Sequence, residues 1–313
     1  MTPQKISIIG CGRVGTALSV FLSKAGYHIA AVASRTRSSA EKTVWAAGAC
    51  GAVGAIKIYE SPAKAAMAGD IIFITTQDHL IEKICSDITT STVALSSSPE
   101  TAVGTSVDIS SKTIFHCSGA LSSCVLSSAS DKGANTGSIH PLQSFAPYDP
   151  EQKSPFAGIN VSVEGNEKAV IIGKELIHAL GANYFTIPTK AKTLYHAAAV
   201  VASNYLVTLE HFAFELLKEA SLSEQKAYEI LDPLIQGTLS NIKTRGAVAA
   251  LTGPIARGDA QIVEKHLSNI NERLPEFSKL YRVMGKYTLE LAAKRGELDK
   301  VSVERLTDIL TES

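Results

Sequence analysis

Four polar side chains share one stretch of an otherwise apolar segment. Lys192, His196 and Ser203 fall at i, i+4 and i+11, with Asn204 one position on. A regular helix would carry them along one stripe, presenting an ammonium, an imidazole, a hydroxyl and an amide. Such a stripe can hold a polarised double bond and deliver a proton to it. Lys192 would be the acid, its pKa lowered by partial burial, with His196 and Asn204 orienting it and the reacting molecule and Ser203 in contact with that molecule. The alternative is a solvated lysine in a first helical turn, with Ser203 and Asn204 as satisfied core groups.

His116, Ser118 and His140 follow strand-like runs, at the places where a parallel sheet opens to a ligand, and are candidate contacts to a substrate. Cys117 and Cys124 lie near the histidines, but the spacings match no familiar zinc pattern, so no metal is expected. Arg257, in the dense loop Thr252-Gly253-Pro254-Ile255-Ala256-Arg257-Gly258-Asp259, has the fork that grips a carboxylate. An interhelical turn with a structural Arg–Asp contact is the alternative there.

A second chemical signal opens the chain. The apolar run Lys5 to Ile9 ends in Gly10-Cys11-Gly12-Arg13-Val14-Gly15, and a segment of helical period follows. Gly10 suits the tight turn, Gly12 leaves room for a pyrophosphate against the backbone, and Gly15 lets helix and strand pack closely. The phosphates would sit at the helix N-terminus, where free N–H groups and the helix dipole favour negative charge. Where an acidic residue would bind the 2′-hydroxyl of NAD, the chain has Ser34-Arg35-Thr36-Arg37. Two guanidiniums and two hydroxyls without a carboxylate suit the extra phosphate of NADP(H). A turn rich in helix N-caps is the alternative. Thr75, Thr76 and Asp78, at the exit of a later strand, complete the cofactor candidates.

The elements that must position these residues alternate. Strands are expected at 5–9, 28–34, 55–59, 70–75, 92–95, 113–115 and 135–139, each leaving the sheet in small or polar residues, including Ser96-Ser97-Ser98-Pro99 after the fifth. A strand–helix–strand unit follows at 159–187, with Gly181 ending its helix. Alternation of this kind implies an α/β doubly wound parallel sheet. From Lys190 onward only helices are expected, near 190–217, 223–242, 259–270, 275–293 and 302–310, which divides the chain into 1–188 and 189–313. The helix around Tyr195 to Tyr205 is apolar nearly all round and so is expected to be buried, partly by a second subunit in a homodimer.

Composition narrows the class. The 313 residues carry 30 basic and 30 acidic side chains, so neither nucleic acid nor an anionic membrane is an expected partner; a small molecule is. The most apolar stretch, Ala197 to Leu209, is interrupted by Ser203 and Asn204 and falls short of a bilayer span. The N-terminus leads straight into the first strand, without room for a signal peptide. Five cysteines with no C-x-x-C pair read as reduced thiols of a cytoplasmic protein.

Five motifs together resemble a known group: the glycine triplet; His116-Cys117-Ser118-Gly119-Ala120-Leu121; His140-Pro141-Leu142-Gln143-Ser144-Phe145; Lys192-x-x-Tyr195-His196-Ala197-Ala198-Ala199 with Ser203-Asn204; and Leu251 to Asp259. They look like the NADP oxidoreductases that join an N-terminal Rossmann-like domain to a helical domain of unknown function. The resemblance covers nearly the whole chain. It implies a Rossmann-type sheet followed by an all-α domain like the C-terminal part of 6-phosphogluconate dehydrogenase. The layout is similar to ketopantoate reductase, pyrroline-5-carboxylate reductase and the β-hydroxyacid dehydrogenases. Lys192 matches the lysine of ketopantoate reductase and the hydroxyacid dehydrogenases, while His196 stands where their asparagine would be. Where pyrroline-5-carboxylate reductase has Ser-Pro-Gly-Gly-Thr-Thr, this chain has Thr252-Gly253-Pro254. The expected activity is hydride transfer from NADPH to a small carbonyl compound, such as the 2-oxo acid 2-dehydropantoate. Imine reduction and NADP(H) sensing without catalysis are the alternatives.

Overall fold

A computed structural model describes residues 4–51, 54–94 and 104–311. In chain order the first unit contains β1 (Lys5–Ile9), α1 (Arg13–Lys24), β2 (His28–Ala33), α2 (Arg37–Ala49), β3 (Lys57–Tyr59), α3 (Pro62–Ala68), β4 (Ile71–Ile74) and α4 (Asp78–Thr90). Then come β5 (Thr92–Ala94), β6 (Gly104–Ser106), β7 (Thr113–His116), α5 (Ser127–Ser130), β8 (Asn135–Pro141), β9 (Asn160–Gly165), α6 (Glu167–Ala179) and β10 (Asn183–Thr186).

Eight strands form one sheet in the order β10-β9-β8-β7-β4-β1-β2-β3. β1 and β4 are apolar along nearly their whole length because both sheet faces are covered. Alternate residues of β4 point to opposite faces and enter two separate cores. Ile71 and Phe73 join Leu18 of α1 and Leu176 of α6, whereas Ile72 and Ile74 join Ala65 of α3, Ile81 of α4 and Ala129 of α5. Phe73 stacks on Phe115 of β7 at 5.5 Å within the first core. The double winding expected from the alternation is therefore present, and it places the ends of β1, β4, β7 and β8 side by side.

Three strands depart from that expectation. β8 and β9 pair antiparallel, so β9 and β10 form a reversed edge on an otherwise parallel sheet. The strand expected at 92–95 is not in this sheet: β5 pairs antiparallel with β6 in a two-stranded ribbon, and β7 takes the place beside β4. A three-residue strand followed by an antiparallel return cannot supply the long crossover a parallel neighbour requires. Leu95 and the exit Ser96 to Pro99 lie outside the described residues.

The helices that follow are α7 (Lys192–Val200), a π turn at Val201–Tyr205, α8 (Leu206–Glu219), α9 (Glu224–Ala250), α10 (Ala260–Arg273), α11 (Pro275–Ala293) and α12 (Lys300–Thr311). Gly246, at φ +78°, breaks the long α9 near its end. Ser223 and Asp259 cap α9 and α10 through their side chains. Ile255, Val263, Leu267, Leu289, Leu306 and Leu310 form the core of the helical unit.

Two compact units divide at Ser203/Asn204 rather than at Pro188/Thr189. α7 is helical but belongs with the sheet, because its Lys192 is anchored at the strand ends. Ser203 and Asn204 do not interrupt the apolar stretch; the π turn carries the helix through them. Thr189–Glu219 is thus one helical run of 31 residues, long and apolar enough to cross a membrane by length and a mean hydropathy of 1.2, and 6% of its most apolar 18-residue window is buried within the chain. Within the chain that window lies largely uncovered.

Helix α1 packs on β1 through a contact that only glycine allows. A Cβ at Gly15 would stand 1.9 Å from the carbonyl oxygen of Gly10, whereas one at Gly12 would meet nothing within 4 Å. Gly15→Ala is therefore expected to lower unfolding stability by roughly 1–3 kcal/mol. Gly12→Ala, at φ −82°, should stay near wild type. Urea denaturation of the two variants checks the contrast.

Candidate active site

The ends of β1 and β4 build the glycine loop. Gly10, at φ +110°, turns the chain against Thr75, whose backbone leaves no room for a Cβ there. Thr75 Oγ1 donates to the Gly10 carbonyl at 2.6 Å and fixes the loop to the neighbouring strand. Cys11 is buried behind the loop; burial raises its thiol pKa, and it plugs the space under the turn. Val14 packs against the core, and Arg13 donates to the carbonyl of Phe145 at 3.2 Å, tying the loop to the segment after β8. No acidic residue lies in the first turn of α1 and no side chain caps it. Thr76 Oγ1 is buried without a partner. Open space at Gly12, an uncapped helix N-terminus and an orphaned hydroxyl suit the pyrophosphate of a dinucleotide.

The end of β2 forms a cavity of about 680 Å³ lined by Ser34, Arg35, Arg37, Glu60, Ser61 and Lys64 among others. Lys64 adds a cation that the sequence pattern did not include. Carboxylates are also present, contrary to the expectation of none. Arg37 Nε bonds Glu41 at 2.9 Å, and Glu60 lines the wall. Thr36 Oγ1 donates to Ser39 Oγ at 2.7 Å, so its hydroxyl serves the start of α2. The nest retains Arg35 and Lys64 as cations outside any ion pair among the described residues, which suits a 2′-phosphate.

A third cluster stands at the ends of β7 and β8. Lys192 is 1% exposed, which excludes the solvated-lysine alternative. Its ammonium donates to the Ser118 carbonyl at 2.8 Å and to Ser138 Oγ at 2.7 Å. Burial pulls its pKa down to about 8, opposed by the nearby Glu164, Cys117 and Asp78. Glu164 is itself buried; it accepts from the Ser123 backbone and hydroxyl and from the Thr189 hydroxyl. A buried cation is thus answered by two neutral acceptors and an anchored carboxylate.

His116 and Ser118 turn out to organise the loop rather than face a ligand. His116 is fully buried; its Nδ1 accepts from the Ser118 N–H, so Nε2 carries the proton and donates to the Ser122 carbonyl. Burial lowers its pKa to about 4, keeping the ring neutral. Ser118 Oγ donates to Asp78 at 2.8 Å and accepts from the N–H groups of Ala120 and Leu121. Both residues have spent their hydrogen-bonding capacity within the protein. Asp78, exposed at the start of α4, is held by that same hydroxyl.

His140, His196 and Tyr195 are partly exposed and meet at this end of the sheet. His140 Nδ1 lies 2.8 Å from the Tyr195 hydroxyl, and burial with Lys192 and His196 lowers its pKa to about 4. A Cβ at Gly119 would come within 2.8 Å of both His140 Nε2 and His196 Nδ1, so glycine is what lets the two rings approach. His196 Nδ1 is buried there without a partner. Tyr195 was not singled out as a site residue, although it lies at i+3 from Lys192 and therefore on the same helix face. Glu164 was signalled by a carboxylate inside the apolar strand Asn160–Gly165, and Ser138 by nothing distinctive.

Ser203 and Asn204 lie exposed in the π turn, which displaces them from the azimuth a regular helix would give. Arg257 is exposed in a short 3₁₀ turn, and Asp259 uses its carboxylate to cap α10 instead of pairing with it. An apolar cavity of about 560 Å³, lined by Phe212, Ile255, His266, Tyr281 and Met284 among others, lies wholly in the helical unit. Among the described residues, no three His, Cys, Asp or Glu side chains converge as a metal would need.

Comparison with known proteins places this geometry. Residues 5–97 match the family described as NADP oxidoreductase coenzyme F420-dependent, and residues 159–288 match a domain of unknown function, DUF2520. No curated protein matches the chain. Among solved structures, it is similar to a Bacteroides fragilis protein solved as a candidate NADP oxidoreductase, with TM-score 0.71 and 20% identity over 92% of this chain and 98% of that one. It also resembles a 1-pyrroline-5-carboxylate reductase from Streptococcus pyogenes, with TM-score 0.59 and 12% identity over 98% and 100% of the chains. An imine reductase variant from Myxococcus stipitatus, in complex with NAD+, gives TM-score 0.58 and 17% identity over 98% and 99%. At these identities the likeness is one of fold. The first part of the sheet thus matches an NADP oxidoreductase family model, DUF2520 matches its edge strands and the helices that follow, and the fold is one shared with NADP oxidoreductases and pyrroline-5-carboxylate reductases.

Proposed function

We propose that the protein reduces a small carbonyl compound with NADPH, a 2-oxo acid being the substrate type to test first. The observation that carries this reading is the side-by-side placement of a glycine loop open at Gly12 and a partly exposed pair of proton-bearing groups, His140 and Tyr195, at the ends of one parallel sheet. NADPH supplies the hydride when bound. Gly10, Cys11, Gly12, Arg13, Val14 and Gly15 would hold the pyrophosphate, with Thr75, Thr76 and Asp78 along the same strand ends. Ser34, Arg35, Thr36 and Arg37, joined by Lys64, would hold the 2′-phosphate. Arg257, an exposed guanidinium, is the candidate partner for a substrate carboxylate, and Ser203 and Asn204 remain candidate substrate contacts.

Imine reduction is the second reading, and a specific observation favours it. Lys192 spends its ammonium on Ser118 and Ser138 and is 1% exposed, so it is poorly placed to polarise a carbonyl. A protonated imine depends less on such a group, and two of the fold relatives are reductases of imines. The helical unit also supports a homodimer: Tyr205, Val207, Tyr228 and Leu234 are each more than half exposed, an apolar surface that a second copy would cover.

Fluorescence titration tests the cofactor reading. The Arg35→Ala, Arg37→Ala double variant should bind NADPH about tenfold or more weakly, a loss of ~1.4 kcal/mol or more, with NADH binding unchanged. Gly12→Ala should weaken both cofactors. Equal losses for both cofactors in the double variant would refute the phosphate nest. At saturating NADPH, turnover of 2-oxo acids over cyclic imines decides between the two readings. For the dimer, light scattering should give twice the 33.1 kDa chain mass, and Leu234→Glu should return the monomer.

A further inference from the structure

The cluster at the ends of β7 and β8 leaves few protons free. Ser118 gives its hydroxyl proton to Asp78. Ser138 Oγ accepts from Lys192 and donates to the Ser118 carbonyl at 3.4 Å. His116 has both nitrogens committed to backbone groups, and Thr75 gives its proton to Gly10. Lys192 is enclosed, and His196 Nδ1 is shut against Gly119. The bond between His140 Nδ1 and the Tyr195 hydroxyl is different, because either group can donate in it.

We propose that His140 donates through Nδ1–H to the Tyr195 oxygen, leaving the Tyr195 O–H free as the proton donor to the substrate; this rests on the reductase reading above. Two observations support that polarity. Lys192 and His196 lie close to His140 and oppose its protonation, so it is a neutral ring with one N–H to place. Its Nε2 lies beside Gly119 and bonds no described residue, whereas Nδ1 has an oxygen at 2.8 Å. The oxygen of Tyr195 is thus an acceptor, and its own proton points elsewhere. Edge contacts with Phe185 at 5.8 Å and His140 at 5.5 Å hold the ring in place.

The step balances as follows. Hydride from NADPH forms the new C–H bond, the π pair of the C=O or C=N group moves to the heteroatom, and that atom takes the proton of Tyr195 as the phenol O–H breaks. The phenolate regains a proton from His140 Nδ1 while His140 Nε2 takes one from water, which leaves hydroxide to the solvent and a neutral Nε2–H imidazole; exchange with water then returns the ring proton to Nδ1. Tyr195 is the catalytic residue, His140 a relay behind it, and Lys192 a positioning residue that holds the strand ends.

Nitrogen-15 NMR of histidine-labelled protein tests the assignment without turnover. His140 should appear as the Nδ1–H tautomer, and Tyr195→Phe should shift its Nδ1 resonance. An Nε2–H tautomer in the wild type would overturn the proposal, since Tyr195 would then be donating to His140. With whichever 2-oxo acid or cyclic imine the wild type turns over, Tyr195→Phe should lower kcat about 100-fold, the lower range for a lost general acid, with NADPH affinity within about twofold. A kcat within a few-fold of wild type refutes the catalytic role. Absence of NADPH binding in the wild type would instead sink the reductase reading while leaving the tautomer result standing. His140→Gln should retain the fold and NADPH binding but lower kcat less than Tyr195→Phe does.

Discussion

The buried ammonium of Lys192 is the constraint on which the rest of the site depends. Removing an ion from water costs several kcal/mol unless hydrogen bonds and a counter-charge offset it. Here the Ser118 carbonyl and the Ser138 hydroxyl accept from it, and Glu164 is close enough to favour its charge. Those partners come from the loop after β7, from β8 and from β9, so one side chain of α7 joins three parts of the sheet. The same requirement explains why α7 belongs to the sheet unit although it begins the helical part of the chain.

From that anchor the order spreads through backbone groups. The Ser118 carbonyl is fixed by Lys192, the Ser118 N–H by His116 and the Ser118 hydroxyl by Asp78. Asp78 opens α4, directly after the strand whose Thr75 clasps the glycine loop. The cofactor loop and the proton-bearing pair are thus linked through a chain of satisfied polar contacts. Few groups in it can move alone, because each leaves a buried donor or acceptor behind.

What could be read from the sequence follows the range of the interactions involved. The glycine loop was legible because Gly10 and Gly15 each answer a local demand, a turn and a missing Cβ, that no other residue meets. The strands and their polar exits were legible from apolar runs that end in small or polar residues. The stripe drawn through Lys192, His196, Ser203 and Asn204 assumed an unbroken α-helix, and nothing in those residues announces the π turn. Lys192 read as a reactive group because an ammonium near an apolar helix carries no mark of what will bury it. His116 and His140 looked alike, yet one is locked between backbone groups and the other meets Tyr195 across 55 residues of chain. The strand expected at 92–95 is present as β5, but its place in the main sheet was not legible, because its neighbour was decided by β7 and β6 and not by its own composition.

The pairing of Arg37 with Glu41 has a consequence for how a cofactor is chosen. Both side chains are largely solvated, 74% and 53% exposed, and a pair of that kind contributes only a few tenths of a kcal/mol. Arg37 can therefore exchange a carboxylate for an arriving phosphate with little loss, while Glu41 and Glu60 repel an anion that is not fully matched by Arg35 and Lys64. Discrimination built this way resides in a solvated layer of opposing charges, where counter-ions compete on equal terms with the ligand. If the proposed nest holds the 2′-phosphate, the preference for one dinucleotide over the other belongs as much to the ionic medium as to the polypeptide, and it narrows as salt rises.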